Sequence, residues 1–256
     1  MSFFQAIFFG AIQALTEFLP ISSSGHLVLL HKFFGLESQS LAFDTTLHLG
    51  TAFALIIYFY KELFLLINNK SLLVKICLGS IPAGVIGVLL ENIFEQYFRG
   101  VASVAFFLIC GSILMILAEY FYKKVWVIQK LSDINNLSLK KSFIVGIFQS
   151  LALFPGISRS GATISSGMIF GLTREVAAKF SFLLSIPIIF AAGFFQLTKS
   201  YQEINFDLSL FGGFLASFFV GIIVVNFLLK YLKTHDLRIF IIYRIILAII
   251  LLLFFV

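Results

Sequence analysis

The sequence predicts an all-α polytopic membrane protein: six full transmembrane helices plus two re-entrant helical hairpins, arranged as inverted repeats. Three observations predict it, namely the composition, apolar runs of two distinct lengths, and an internal repeat without gaps. Of 256 residues, 60% are apolar and 12% charged, against roughly 45–50% and about 25% in soluble domains. Phe alone occupies 34 positions, and the mean hydropathy is +1.06. A globule of this size could not hide so much apolar surface from water, so the solvent must be lipid. Disorder, a disulfide-stapled secreted scaffold and a soluble nucleic-acid binder are excluded by the same figures. The net charge of +6 is therefore read through loop topology, and no nucleic-acid partner is expected. Cys77 and Cys110 stand alone in apolar stretches without a CxxC pair, which suggests neither zinc nor a disulfide. No basic segment precedes the first apolar run and no small-residue cleavage site follows it, so no removable signal peptide is expected.

Six runs are long enough to cross a bilayer: Leu41–Tyr60, Leu72–Leu90, Val101–Tyr122, Glu175–Gln196, Leu208–Leu229 and Ile239–Val256. Four others, Phe3–Leu15, Gly25–Phe34, Ser142–Leu153 and Gly161–Leu172, reach only about 15–20 Å at 1.5 Å per residue. Each short pair flanks a polar break, Glu17–Gly25 in the first case and Phe154–Gly161 in the second. Two half-length arms around a Pro/Ser/Gly-rich break read as a re-entrant hairpin, whose irregular backbone is tolerated only inside protein or beside a watery cavity.

The hairpins are copies of one another. An offset of 136 pairs Gly10 with Gly146, Gln13 with Gln149, Ser22 with Ser158, Ser24 with Ser160, and Phe34-Gly35-Leu36 with Phe170-Gly171-Leu172, giving 11 identities in the 27 positions from Gly10 to Leu36. Generic hydrophobicity would match Leu and Phe but not Ser, Gln and Gly in register. Three full spans lie between the hairpins, so the second must enter from the opposite face and the two breaks can meet near the midplane. The chain is then a single membrane domain over 1–256, with one repeat over 1–122, a loop over 123–141 and the second repeat over 142–256.

Basic residues set the orientation. Of the 18 Lys and Arg, 13 fall on one side, 3 on the side of the N-terminus (Lys32, Arg99, Lys199), and Arg159 and Arg244 within membrane segments. By the positive-inside rule the Lys-rich side, with the 123–141 loop, is cytoplasmic and both termini face outward. Trp126 and the stretch Tyr120–Tyr122 read as an interface belt, and Pro82 and Pro187 as kinks.

Glu17, His26 and Arg159 are ionisable groups inside the membrane, where burial costs several kcal/mol unless they are paired or hydrated. One reading is a structural ion-pair cluster between packed hairpins. The other is an anion cradle, favoured because Ser22, Ser23, Ser24, Ser158, Ser160 and Thr163 crowd the same place. Each break leads into a half-helix whose first N–H groups carry the positive end of the dipole, and Arg159 adds a fork suited to phosphate oxygens. Gln13 and Glu17 share one helical face at the break. A carboxylate beside phosphate is repulsive unless it accepts a proton or holds a divalent cation, Mg²⁺ or Ca²⁺. Ser22–Ser24 and His26 supply hydroxyls and an acid/base, the ingredients of nucleophilic phosphoryl transfer. The copies differ where this chemistry would divide: Glu17 corresponds to Leu153, Ser23 to Arg159 and His26 to Ala162. Asp44 and His48 share a face at the start of the first span, where interfacial capping is favoured over direct chemistry, while His31 and His235 read as interfacial and carry no hypothesis.

The run Gln13-Ala14-Leu15-Thr16-Glu17-Phe18-Leu19-Pro20-Ile21-Ser22-Ser23-Ser24-Gly25-His26-Leu27 resembles the bacitracin-resistance type of undecaprenyl-diphosphate phosphatase, and Pro155-Gly156-Ile157-Ser158-Arg159-Ser160-Gly161-Ala162-Thr163 matches that family's second signature. The resemblance covers essentially the whole chain, including Phe43-Asp44. Gln13 takes the first position of an (E/Q)xxxE motif, so a single carboxylate stays within the pattern. The resemblance implies an inner-membrane hydrolase that converts undecaprenyl diphosphate to the monophosphate, with its site open to the outer face, returning the lipid carrier to cell-wall synthesis. It assigns Glu17 as the metal-linked acid, Ser23 as nucleophile, His26 as acid/base partner and Arg159 as diphosphate clamp. Gln13, Ser22, Ser24, Ser158, Ser160 and Thr163 would line the substrate pocket. Ser23, His26 and water stay open as the attacking group. The expected partners are a polyprenyl diphosphate and membrane lipids, and a homodimer is compatible with them. Acid-phosphatase-type lipid phosphatases are excluded, since no KxxxxxxRP occurs and Ser165 stands where their signature needs His. A transporter or flippase for a phosphorylated polyprenyl lipid is the alternative, because repeats with broken helices suit transport.

Overall fold

The computed structural model describes residues 1–36, 41–66, 68–98, 100–124, 130–200 and 207–255. Arg99 and Trp126, and with them the expected interface tryptophan, lie outside the described residues. Among those residues the chain is all-helical, and its elements in order are α1 (Phe3–Phe18), α2 (Ser23–Phe33), α3 (Leu41–Tyr58), α4 (Tyr60–Leu66), α5 (Lys70–Tyr97), α6 (Val101–Lys124), α7 (Leu139–Ser150), α8 (Arg159–Ile169), α9 (Arg174–Ser200), α10 (Leu208–Thr234) and α11 (Arg238–Phe254). Short 3₁₀ turns cover Ile134–Asn136 and Leu151–Leu153.

Among the described residues four helices are long and apolar enough to cross a membrane: α5, α6, α9 and α10. A fifth such stretch is not the single straight helix expected over Leu41–Tyr60, because α3 and α4 meet at 75° around Phe59. Neither Pro nor Gly stands at that bend. Its far arm is tied by Glu62 to Lys179 of α9 at 2.8 Å. Helix α11 has 17 residues, about 25 Å.

Local chemistry explains the helix starts. Ser2 and Gln5 form a reciprocal capping box on α1. Asn69, Ser138 and Asp207 cap α5, α7 and α10 through their side chains. Pro82 and Pro187 lie inside α5 and α9.

The repeat read in the sequence reappears as matching structure. Ser22 and Ser158 cap α2 and α8, and each accepts from the N–H of the glycine three residues on, Gly25 or Gly161. Phe34 and Phe170 end those helices, and Gly35 and Gly171 follow with φ of 63° and 104°. The partnerships match as well. Helix α1 packs chiefly on α10, and its copy α7 chiefly on α5. Both contacts are glycine-on-glycine: a Cβ at Gly10 would strike the Gly213 carbonyl, and one at Gly146 the Gly79 carbonyl. Each hairpin arm thus packs on a long helix of the other half, which brings the two breaks into the interior together.

Ion pairs gather at one end of the long helices. Arg174 grips Glu119 through two hydrogen bonds, and Lys123 and Arg238 both reach Asp236. The segment after residue 130 docks there too: Leu131 bridges to Leu172, and Ile134 and Leu137 are buried.

Candidate active site

The two breaks touch. Ser160 of the second donates to the Leu19 carbonyl of the first at 3.2 Å, and the side chains beside that contact converge on Glu17. Helix α1 presents Gln13 and Glu17 one turn apart, both buried. Gln13 Nε2 donates to Glu17 Oε2 at 3.1 Å. Ser23, in the first turn of α2, donates its hydroxyl to the same oxygen at 2.5 Å. The other oxygen, Oε1, is paired with Arg159 at the start of α8. Arg159 also donates to the Ser185 carbonyl of α9 at 3.2 Å. The structure therefore brings together the acid, the hydroxyl and the cation that the sequence singled out, although they come from both hairpins and lie up to 142 positions apart.

The ion pair is flanked by two partly exposed side chains. The Arg159 side chain keeps 14% exposure, and on the other flank His48 keeps 32%. His48 Nδ1 accepts from Gln13 Nε2 at 2.8 Å and lies 3.5 Å from Glu17 Oε2. His48 is thus a member of this cluster rather than an interfacial cap with Asp44, which pairs instead with His31 at 2.9 Å. The shared face of Asp44 and His48 was visible in the sequence; the neighbours that separate them were not.

His26 turns elsewhere. Its Nδ1 meets the Ser22 carbonyl at 2.7 Å and its Nε2 the Tyr243 hydroxyl of α11 at 2.6 Å. The remaining candidates brace the cradle. The Ser22 hydroxyl bonds the Gly25 N–H and lies 3.4 Å from that of Ser24, and Ser158 repeats the arrangement with Gly161 and Ser160. Thr163 is turned inward, donating to the Arg159 carbonyl at 2.8 Å and meeting Ser181 of α9 at 2.5 Å.

Sequence reasoning placed Arg244 in the membrane and gave it no work. Its guanidinium has no exposure and donates to five oxygens: Ser112 Oγ and the carbonyls of Leu108, Pro20, Gly156 and Ile157. Three of those carbonyls belong to the breaks, whose backbone leaves the helical ladder and must find donors elsewhere. One arginine therefore satisfies both breaks at once. An intramembrane cation is itself the signal that could have found it; Tyr243 carried none.

A hard divalent cation fits this donor set. The buried Gln13 Oε1 has no hydrogen-bond partner, and the same amide donates through Nε2 to the Glu17 carboxylate. Oxygen donors of this kind suit Mg²⁺ or Ca²⁺, which commonly take one or two carboxylates and complete their shell with water and phosphate oxygens. Among the described residues no group of three His, Cys, Asp or Glu is set to hold a metal alone.

The chain is similar to known proteins over nearly its whole length. A family model described as bacitracin resistance protein BacA matches residues 6–250. A Caldicellulosiruptor bescii protein named undecaprenyl-diphosphatase is 38% identical over all of this chain and 98% of its own. Proteins of the same name from Aquifex aeolicus and Methanococcus aeolicus are each 39% identical over all of this chain, and over 99% and 100% of theirs.

Proposed function

The chain belongs to the bacitracin resistance protein BacA family, and on that premise we propose that it hydrolyses undecaprenyl diphosphate to undecaprenyl phosphate and inorganic phosphate. That step recycles the lipid carrier for peptidoglycan synthesis and confers bacitracin resistance. The observation that carries the reading is the convergence of Ser23 and Arg159, from separate hairpins, on the two oxygens of Glu17.

In this mechanism Arg159 holds Glu17 until substrate arrives, and the diphosphate then competes for its guanidinium. Planar bidentate recognition favours phosphate oxygens, and the positive ends of α2 and α8 add to the attraction. The freed carboxylate now faces an anion. At about 4 Å and an effective dielectric near 20, two like unit charges repel by about 4 kcal/mol, so Glu17 must take up a proton or a cation. Ser23 supplies the proton. Its Oγ attacks the terminal phosphorus as its hydrogen passes to Glu17 Oε2, and the bond to the lipid monophosphate breaks. Water, giving up its proton to His26, then attacks the phosphoserine; Ser23 Oγ leaves, takes back the proton held by Glu17, and inorganic phosphate is released. His26 is the acid/base for that second step. Until that proton arrives, Glu17 and the Gln13 amide oxygen would hold Mg²⁺ or Ca²⁺, which when bound supplies charge neutralisation at the phosphate oxygens.

We read the architecture as six spans, with α11 and the bent pair α3–α4 joining the four long helices, and the pairs α1–α2 and α7–α8 as re-entrant hairpins of inverted repeats. The half-length of those arms and the matched packing of α1 on α10 and α7 on α5 support this. The excess of Lys and Arg on one side supports a bacterial inner-membrane protein with both termini outward and the site open to the outer face.

The deciding experiment is phosphate release from detergent-solubilised protein given undecaprenyl diphosphate, with and without chelator. Release that stops on chelation and returns with Mg²⁺ or Ca²⁺ is expected. A flippase needs a sealed membrane and would release nothing; turnover undiminished in excess chelator would remove the cation.

A further inference from the structure

The Ser22 carbonyl can only accept a hydrogen bond, so His26 Nδ1, 2.7 Å away, carries a hydrogen and donates it. In the neutral ring that leaves Nε2 as the acceptor, and the Tyr243 hydroxyl donates to it at 2.6 Å. The two rings also lie nearly parallel, 8° apart, with centroids separated by 5.7 Å. His26 is therefore held at both nitrogens and along one face, by residues 217 positions apart.

Tyr243 is itself placed by its neighbour. Arg244 ties α11 to the Pro20, Gly156 and Ile157 carbonyls, so the position of α11 against both breaks is set one residue away. Yet Tyr243 is not a core residue. It keeps 43% exposure, and its ring finds its polar partner in the site rather than in the packing. A buried anchor followed by an exposed phenol aimed at an imidazole describes a support for that imidazole.

We infer that Tyr243 is the positioning residue for His26: the Ser22 carbonyl fixes the tautomer, and the Tyr243 hydroxyl and ring fix where Nε2 points. The inference rests on the hydrolase reading and deepens it. Which nitrogen of a histidine can exchange a proton is set by the hydrogen bond on the other one. Here Nδ1 is committed to backbone, so all proton exchange is left to Nε2, whose lone pair the Tyr243 hydroxyl holds in place until a substrate water displaces it. Without the phenol the ring keeps one tether and can swing. Misplacement of a reacting group by about 1 Å costs on the order of 10²-fold in rate.

The test is Tyr243→Phe, which keeps the stacked ring and removes only the hydroxyl, assayed by phosphate release in detergent. The expected result is a fall in kcat of about 10- to 100-fold, with KM within about twofold and thermal unfolding unchanged. In a His26→Ala background, followed by single turnover with enzyme in excess, Tyr243→Phe should cost less than about twofold more, because residues that act as a unit are not additive. Wild-type kcat in Tyr243→Phe, or an equal loss in both backgrounds, overturns the inference while the hydrolase reading stands. No phosphate release by the wild-type protein overturns that reading, and the inference with it.

Discussion

Ser22 and Ser158, 136 positions apart, hold the same left-handed backbone conformation, with φ of 76° and 73°. They are the only non-glycine residues with positive φ among those described. Such a conformation costs roughly 1–3 kcal/mol and persists because each hydroxyl accepts the N–H of the following glycine, at 3.4 Å for Gly25 and 3.2 Å for Gly161. Strain and cap occur together in both copies, at the residue that turns each break into its half-helix.

Glycine at either position would relieve the strain and still serve tolerably as an N-cap, whereas alanine would keep the strain and lose the cap. Ser22→Ala and Ser158→Ala should each lose about 1–2 kcal/mol of stability, while the glycine variants stay within about 0.5 kcal/mol of wild type. Thermal unfolding in detergent checks this. Alanine variants as stable as the glycine ones would contradict it.

Arg244 should be among the most costly residues to truncate. Arg244→Met strands buried carbonyls in both breaks, and each unsatisfied group costs about 1–3 kcal/mol. Gly111 offers an independent route to the same outcome, since a Cβ there would strike the Arg244 guanidinium and stand 2.6 Å from the Ile157 carbonyl. Both variants are expected to unfold many degrees below wild type or fail to accumulate. A normal unfolding temperature for Gly111→Ala would show that the guanidinium has room to move.

Clamp and nucleophile should separate by binding. Ser23→Ala is expected to lose nearly all turnover and still bind diphosphate lipid, because Arg159 and the half-helix termini remain. Arg159→Ala should lose both, and Arg159→Lys, which keeps the charge without the fork, should fall by about 10²–10³-fold in kcat/KM. Near-normal turnover by Ser23→Ala would move the attack to His26 or water.

Sidedness can be read with cysteines, once Cys77 and Cys110 are replaced. A cysteine at Lys130 should resist an impermeant thiol reagent applied to intact cells, and one at Gly100 should react. The reverse labelling would invert the topology.

How much of this was legible depended on distance along the chain. The apolar runs became helices close to their expected bounds, as with Val101–Tyr122 inside α6 (Val101–Lys124). The breaks also lie where the Pro, Ser and Gly residues put them. Those outcomes follow from local propensity and from lipid as solvent. The bend at Phe59 had no local signal, because neither Pro nor Gly marks it and the arm beyond is held by Lys179 from α9.

The sequence by itself determined an α-helical membrane chain, its duplicated hairpins and the set of polar residues at their breaks, because each is a property of a short window or of two windows compared. Only the tertiary structure decided the partners. It paired Arg159 with Glu17, turned His26 to Tyr243, split His48 from Asp44, and spread Arg244 across both breaks. A buried polar group in lipid must satisfy its hydrogen bonds within protein. Which group it finds depends on how helices far apart in the chain cross, and glycine contacts such as Gly10 on Gly213 set that crossing.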